Sequence, residues 1–222
     1  MTTLTLPPLR RLRRFGSALL GSITTLTAHA ACPGLLIERF IPADCEACWR
    51  NGEPALPGSL ALDWIVPAAQ GDAAPLAAAA VSEATRRSPG AKAGTTLERR
   101  HALPARGLRI EVEDGPAWSG YIGVLLRVQR GEQPLPTGAA GYLALVETVR
   151  PGEEGTPIER HLLRVVAGPL TIDAALPRVE HLLALRLPQG ARGNRLSAFG
   201  WVEDGSGRVL GAARADEAAC AR

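Results

Sequence analysis

The chain has 222 residues and a formal net charge of +3; 46 % of it is hydrophobic but only 4 % aromatic. That length allows one large domain or two small ones, built around an aliphatic core. Arg10, Arg11, Arg13 and Arg14 account for the positive balance, since without residues 1–30 the +3 becomes −1. Charge therefore gives no reason to expect nucleic acid as a partner.

Those arginines precede "FGSALLGSITTLTA" and then Ala28-His29-Ala30. A positive n-region, a modest apolar h-region and a small-x-small site together read as a secretory signal, cut between Ala30 and Ala31. The apolar run is too short and too rich in Ser, Thr and Gly to cross about 30 Å of hydrocarbon. The expected location is periplasmic or secreted, with no membrane span in the mature chain.

Cys32, Cys45, Cys48 and Cys220 all lie beyond the predicted cut. An even number of cysteines in an oxidising compartment favours disulfides. Cys32 and Cys220 sit near opposite ends of the mature chain, and chain ends of compact proteins are often close. Cys45 and Cys48 are local partners. The expected pairs are Cys32–Cys220, a structural disulfide, and Cys45–Cys48.

In chain order, "GLLIERFI" (34–41) and "SLALDWIV" (59–66) read as buried strands. Between them Gly52, Pro54, Pro57 and Gly58 limit any helix starting at the cysteines to about two turns. After the second strand, Asp72 is a plausible N-cap and the Ala-rich run to Arg87 favours helix. "SPGAKAGTTLERR" (88–100) reads as a mobile loop. The order strand, short helix, strand, helix suggests that the two strands pair in parallel. From about residue 105, seven short apolar or alternating runs are bounded by Gly, Pro or Asp-Gly, the signature of an antiparallel sandwich. "EDGSGR" (203–208) marks a hairpin turn. Trp118 and Tyr121 are expected in the sandwich core rather than on a partner surface.

A strand running into Cys-x-x-Cys, "LLIERFIPADCEACW", followed by "ALDWIVPAAQGDAAPL" and a β-rich tail, resembles a bacterial family of exported thioredoxin-like proteins of uncharacterised function. The resemblance implies an α+β fold: a truncated thioredoxin-like α/β half (31–104) joined to an antiparallel β-sandwich-like half (105–222), after a signal peptide (1–30). It also implies a candidate catalytic dithiol at Cys45 and Cys48, with Pro104 as candidate cis-proline. The function so implied is a thiol–disulfide oxidoreductase or redox-assisted folding factor acting on exported protein thiols or disulfides.

The residues themselves leave three readings of the pair open. As a redox couple, Cys45 would attack and Cys48 resolve. Asp44 and Glu46 disfavour a thiolate, while Arg39 and Arg50 could offset them, so a strong oxidant is the least expected role. As a staple, the bond would pin a short helix to the strand end, in a non-enzymatic binding or assembly module contacting an envelope protein. As a zinc half-site, the pair lacks a second close pair. His101, His161 and His181 have no metal-ligand spacing, and no phosphate-binding glycine loop is present. No cofactor and no metal are expected, and the sequence leaves open whether the chain is an enzyme.

Overall fold

In the computed structural model of the chain, residues 33–104, 108–131 and 134–215 are described. Ten strands and two short helices follow one another: β1 (Leu35–Pro42), α1 (Glu46–Arg50), β2 (Ser59–Val66), α2 (Ser82–Arg87), β3 (Leu97–Ala102), β4 (Leu108–Trp118), β5 (Tyr121–Arg130), β6 (Ala140–Val149), β7 (Arg160–Thr171), β8 (Arg178–Arg186), β9 (Leu196–Glu203) and β10 (Val209–Arg214). Seven strands form a mixed sheet in the order β10-β9-β6-β7-β2-β1-β3, and β4-β5-β8 form a second, antiparallel sheet.

β1 and β2 pair in parallel as expected, from Leu35↔Ser59 to Pro42↔Val66. Both are buried on both faces, the condition of parallel strands in a sheet interior. The large sheet draws strands from both sides of residue 104. β2 meets β7 through the registered pair Asp63↔Leu162, and β6 and β9 continue antiparallel beyond it. The second sheet packs face to face on β6 and β9. Its inner residues Ile110, Val112, Ile122, Val124, Leu126 and Val128 bury against Leu143, Leu145, Ala198 and Val202. The other face of the large sheet carries a second core, with Phe40, Trp64, Phe199 and Trp201 beneath Val81 and Ala84.

Three expectations are corrected. The fold is not thioredoxin-like: half of it is strand and about 11 % helix, in mixed and antiparallel sheets. Only the sandwich-like layering of the second half matches the expected class. The first reason is local: α1 stops after five residues, with Asn51 as its C-cap and Gly52, Pro54, Pro57 and Gly58 following.

The second correction is the Ala-rich helix. Residues 71–73 and 77–79 make single 3-10 turns, and α2 starts only at Ser82. Ala80 is extended and bridges Ile65 in parallel, Val81 N–H donates to Ile65 O, and Leu76 N–H donates to Ala43 O. Backbone bonds to the β1–β2 layer outweigh alanine's helix propensity of a few tenths of a kcal/mol per residue.

The third is the supposed loop, whose last four residues begin β3. This charged edge strand is antiparallel to β1, with Glu38 opposite Arg99. Its polar sequence hid it: Leu97 joins the apolar core, but the other inward groups are His101, which meets Glu38, and Arg99, which donates to Arg87 O and lies over Phe40.

Candidate functional site

The Cys45–Cys48 disulfide forms at the C-terminal end of β1, with Cα atoms 5.2 Å apart. Cys45 is the N-cap of α1, its Sγ accepting from Cys48 N–H at 3.2 Å. Cys45 is 9 % exposed, while Cys48 is only half-buried, at the margin of a cluster with Ile41, Trp49 and Ile65. This order is the reverse of what an attacking Cys45 and a resolving Cys48 need. With both sulfurs in one bond, neither is a thiolate ready to hold zinc.

The turn is clamped from below by Arg160 at the start of β7. Its Nη2 donates to Trp49 O at 2.5 Å and to Cys48 O at 3.3 Å, and its Nη1 pairs with Asp63 Oδ1 at 3.2 Å. The guanidinium also lies 5.0 Å from the Trp49 ring centroid. Burial pulls the Arg160 pKa below its ordinary value, with the Asp63 carboxylate opposing the shift. Asp63 accepts His161 N–H at 2.9 Å and also faces Arg39 Nη1 at 3.6 Å. Trp49 is fixed from above, its Nε1–H donating to Glu154 O at 2.8 Å. Gly52 closes the turn where no side chain fits, because a Cβ there would overlap the Arg160 guanidinium.

Pro104 does not join this site. Leu103 N–H donates to Gly34 O, before the start of β1, whereas Cys45 follows its end. The two are separated by the length of the strand, about 26 Å for eight residues. The cis peptide bond among the described residues is Gly168–Pro169, in β7. The proline expectation is thus overturned: the chain after α2 leads into the edge strand β3, which ends beside the start of β1 and not at the disulfide. Cys32, Cys220, the predicted cut at Ala30/Ala31 and the whole of 1–30 lie outside the described residues.

On the opposite face of the large sheet, Arg87 at the end of α2 inserts between two tryptophans. Its guanidinium lies 5.5 Å from the Trp64 ring centroid and 5.2 Å from that of Trp201. It pairs with Glu38 at 2.5 Å and with Glu203. Trp64 Nε1–H donates to Glu38 and Trp201 Nε1–H to Glu203, so each indole holds a carboxylate against the arginine. His101 Nε2 meets Glu38 Oε2 at 2.9 Å. Burial works to raise the Glu38 pKa, but the His101 hydrogen bond and the Arg87 charge prevail and hold it below the usual carboxylate value. Beside this hub a cleft of about 270 Å³ opens between α2 and β7, with Tyr142 stacked on Trp201 at 5.1 Å. Nothing local in the sequence signals the hub, since residues 38, 64, 87, 101 and 203 come from five separate segments.

The outer face of the small sheet differs between its two ends. At one end Arg127 pairs with Glu113 and Glu180, Arg178 with Glu180, and Arg109 with Glu111. At the other, Trp118 is 81 % and Leu182 75 % exposed, and Tyr121 is exposed at the β4–β5 turn. The expectation that Trp118 and Tyr121 lie in the sandwich core is therefore overturned. A bulge in β4 between Asp114 and Ala117 shifts the register and turns Trp118 outward, while Tyr121 faces out by simple alternation with the buried Ile122 on β5. No helix among the described residues is long and apolar enough to cross a membrane.

No protein-family model matches the chain, and no curated protein does. Among solved structures it is similar to HBP35 of Porphyromonas gingivalis, with a TM-score of 0.52 and 8 % identity over 82 % of this chain and 74 % of that one. At this identity the likeness concerns the fold alone.

Proposed function

We propose that this chain is an exported, non-catalytic binding or assembly module, in which Cys45–Cys48 is a structural staple and the apolar end of the small sheet meets a partner. The clamp carries the reading. Arg160 holds the carbonyls of Cys48 and Trp49 and is itself held by Asp63, so the turn is tied to the sheet through its own backbone. The burial of Cys45 and the distance to Pro104 support the same conclusion. The N-terminal Arg-rich and Ala-His-Ala pattern supports export, as does an oxidised cysteine pair.

The alternative, a thiol–disulfide oxidoreductase acting on exported proteins, keeps one observation in its favour: Cys48 is partly open at the strand end. One assay decides between them. For a staple, the Cys45–Cys48 reduction potential lies below about −300 mV and insulin reduction shows no turnover. A potential near the thioredoxin value of about −270 mV with turnover would overturn the staple. Sequencing the N-terminus of protein recovered from the envelope tests export, which requires Ala31 as the first residue.

A further inference from the structure

Strand β8 is an edge. It pairs with β5 through nine consecutive residues, Tyr121↔Arg186 to Gln129↔Arg178, and among the described residues with no strand on its other side. Soluble proteins usually blunt such edges with prolines, bulges, inward-pointing charges or short length. β8 has no proline and no bulge among its nine residues, its charges Arg178, Glu180 and Arg186 lie on the outward row near its ends, and the bulge in this sheet lies in the β4–β5 pairing. Its outward row reads Arg178, Glu180, Leu182, Ala184 and Arg186 by alternation. Leu182 is 75 % exposed. On β5, Leu125 stands opposite Leu182 and Gly123 opposite Ala184, so a shallow apolar trough runs up to the edge. Arg178 and Glu180 are engaged in the charge ladder, whereas Arg186 makes no ion pair among the described residues.

We propose that the occupant of this edge is a second copy of the same chain, paired β8 to β8 antiparallel about a two-fold axis at Leu183. Charge complementarity selects that register. It places Glu180 opposite Arg186 of the second copy, twice by symmetry, Leu182 opposite Ala184, and His181 opposite Leu185. Moving the axis to Leu182 sets Arg178 against Arg186, two like charges. Moving it to Ala184 sets Leu182 against Arg186 and leaves Glu180 without a cation. Pairing at Leu183 joins two three-stranded sheets into one of six strands and merges the two troughs across the axis. A closed two-fold contact uses up both edges, so assembly stops at the dimer.

This deepens the assembly reading by naming the partner. Sedimentation equilibrium on the exported protein is expected to show a concentration-dependent dimer. R186E sets like charges opposite Glu180 at both ends and weakens the dimer about tenfold or more. L183C, on the axis, is expected to crosslink to its own copy under mild oxidation, while R178C, about ten residues from its mate, does not. A wild-type chain still monomeric at about 100 micromolar would overturn the proposal. So would an R186E dimer of undiminished strength, or an L183C dimer that fails to crosslink. A monomer with an inert, low-potential disulfide removes the dimer and leaves the staple; turnover in a stable dimer does the reverse.

Discussion

Arg160 and Asp63 are 97 residues apart in sequence and form an ion pair of 3.2 Å with side chains 1 % and 0 % exposed. The pair ties the first residue of β7 to the parallel pair that carries the disulfide turn. Replacing one member of a buried pair leaves the other charged and desolvated, at a cost of about 3–5 kcal/mol. Arg39, at 3.6 Å from Asp63, moderates that cost. R160M is therefore expected near the lower end, about 3 kcal/mol in urea unfolding. The same variant frees the Cys48 and Trp49 carbonyls, so Cys45–Cys48 should be reduced by dithiothreitol faster than in wild type. An unchanged reduction rate would show that the clamp does not restrain the turn.

Gly52 tests the same clamp from the other side. A Cβ there overlaps the Arg160 guanidinium, which in an exposed arginine would simply swing away. Here it is held by Asp63, Trp49 and Cys48, so G52A should cost about 1–3 kcal/mol, the range for overpacking. In the R160M background the obstacle is gone and G52A should cost under about 0.5 kcal/mol. The measurement is the coupling in a double-mutant cycle; additive effects would place the strain elsewhere.

These contacts show what could be read from the sequence. β1, β2, the parallel pairing, the short α1, the run of antiparallel strands and the closing hairpin all follow from apolar periodicity and turn residues, which act locally. The Cys45–Cys48 bond follows from the spacing of the two cysteines. Arg160 and Arg87 could not be found this way. Each is one arginine among many, and its role is set by carboxylates and indoles that the topology brings from distant strands. The same holds for the Ala-rich segment, whose helix propensity was outweighed by bonds from Val81 and Leu76 to β2 and the β1 end. Trp118 was misplaced because a bulge shifts the strand's inside–outside alternation, and single-residue insertions leave no mark in composition.

Trp118 is 81 % exposed, so its burial contributes little to the fold. W118S is expected to change unfolding free energy by less than about 0.5 kcal/mol, as for ordinary surface positions. A core tryptophan would cost about 3–5 kcal/mol. L182K, beside the proposed two-fold axis on β8, should weaken the dimer in sedimentation equilibrium, whereas W118S, on the far strand β4, should leave it unchanged, with circular dichroism unaltered in both. A melting shift of many degrees would return Trp118 to the core.

Acid should act through Glu38. Its folded pKa lies below the ordinary value of 4.5, because His101 and Arg87 outweigh burial. A carboxylate lowered on folding adds stability that is fully present above the unfolded pKa and is lost as pH falls through the folded one. Urea unfolding free energy is therefore expected to hold level from neutral pH to about 4.5 and to decline below it. E38Q should lower the plateau and flatten the decline, since its amide does not titrate. Asp204 provides the contrast. It caps the β9–β10 hairpin by accepting from Ser206 and Arg208, and the Ser206 hydroxyl above all lowers its pKa to about 2. Its contribution is fully present above the ordinary value of 3.8 and is lost as pH falls from there through about 2. Carboxyl-carbon NMR titration separates the two: a midpoint for Asp204 near the ordinary 3.8 would mean that the turn does not form as described.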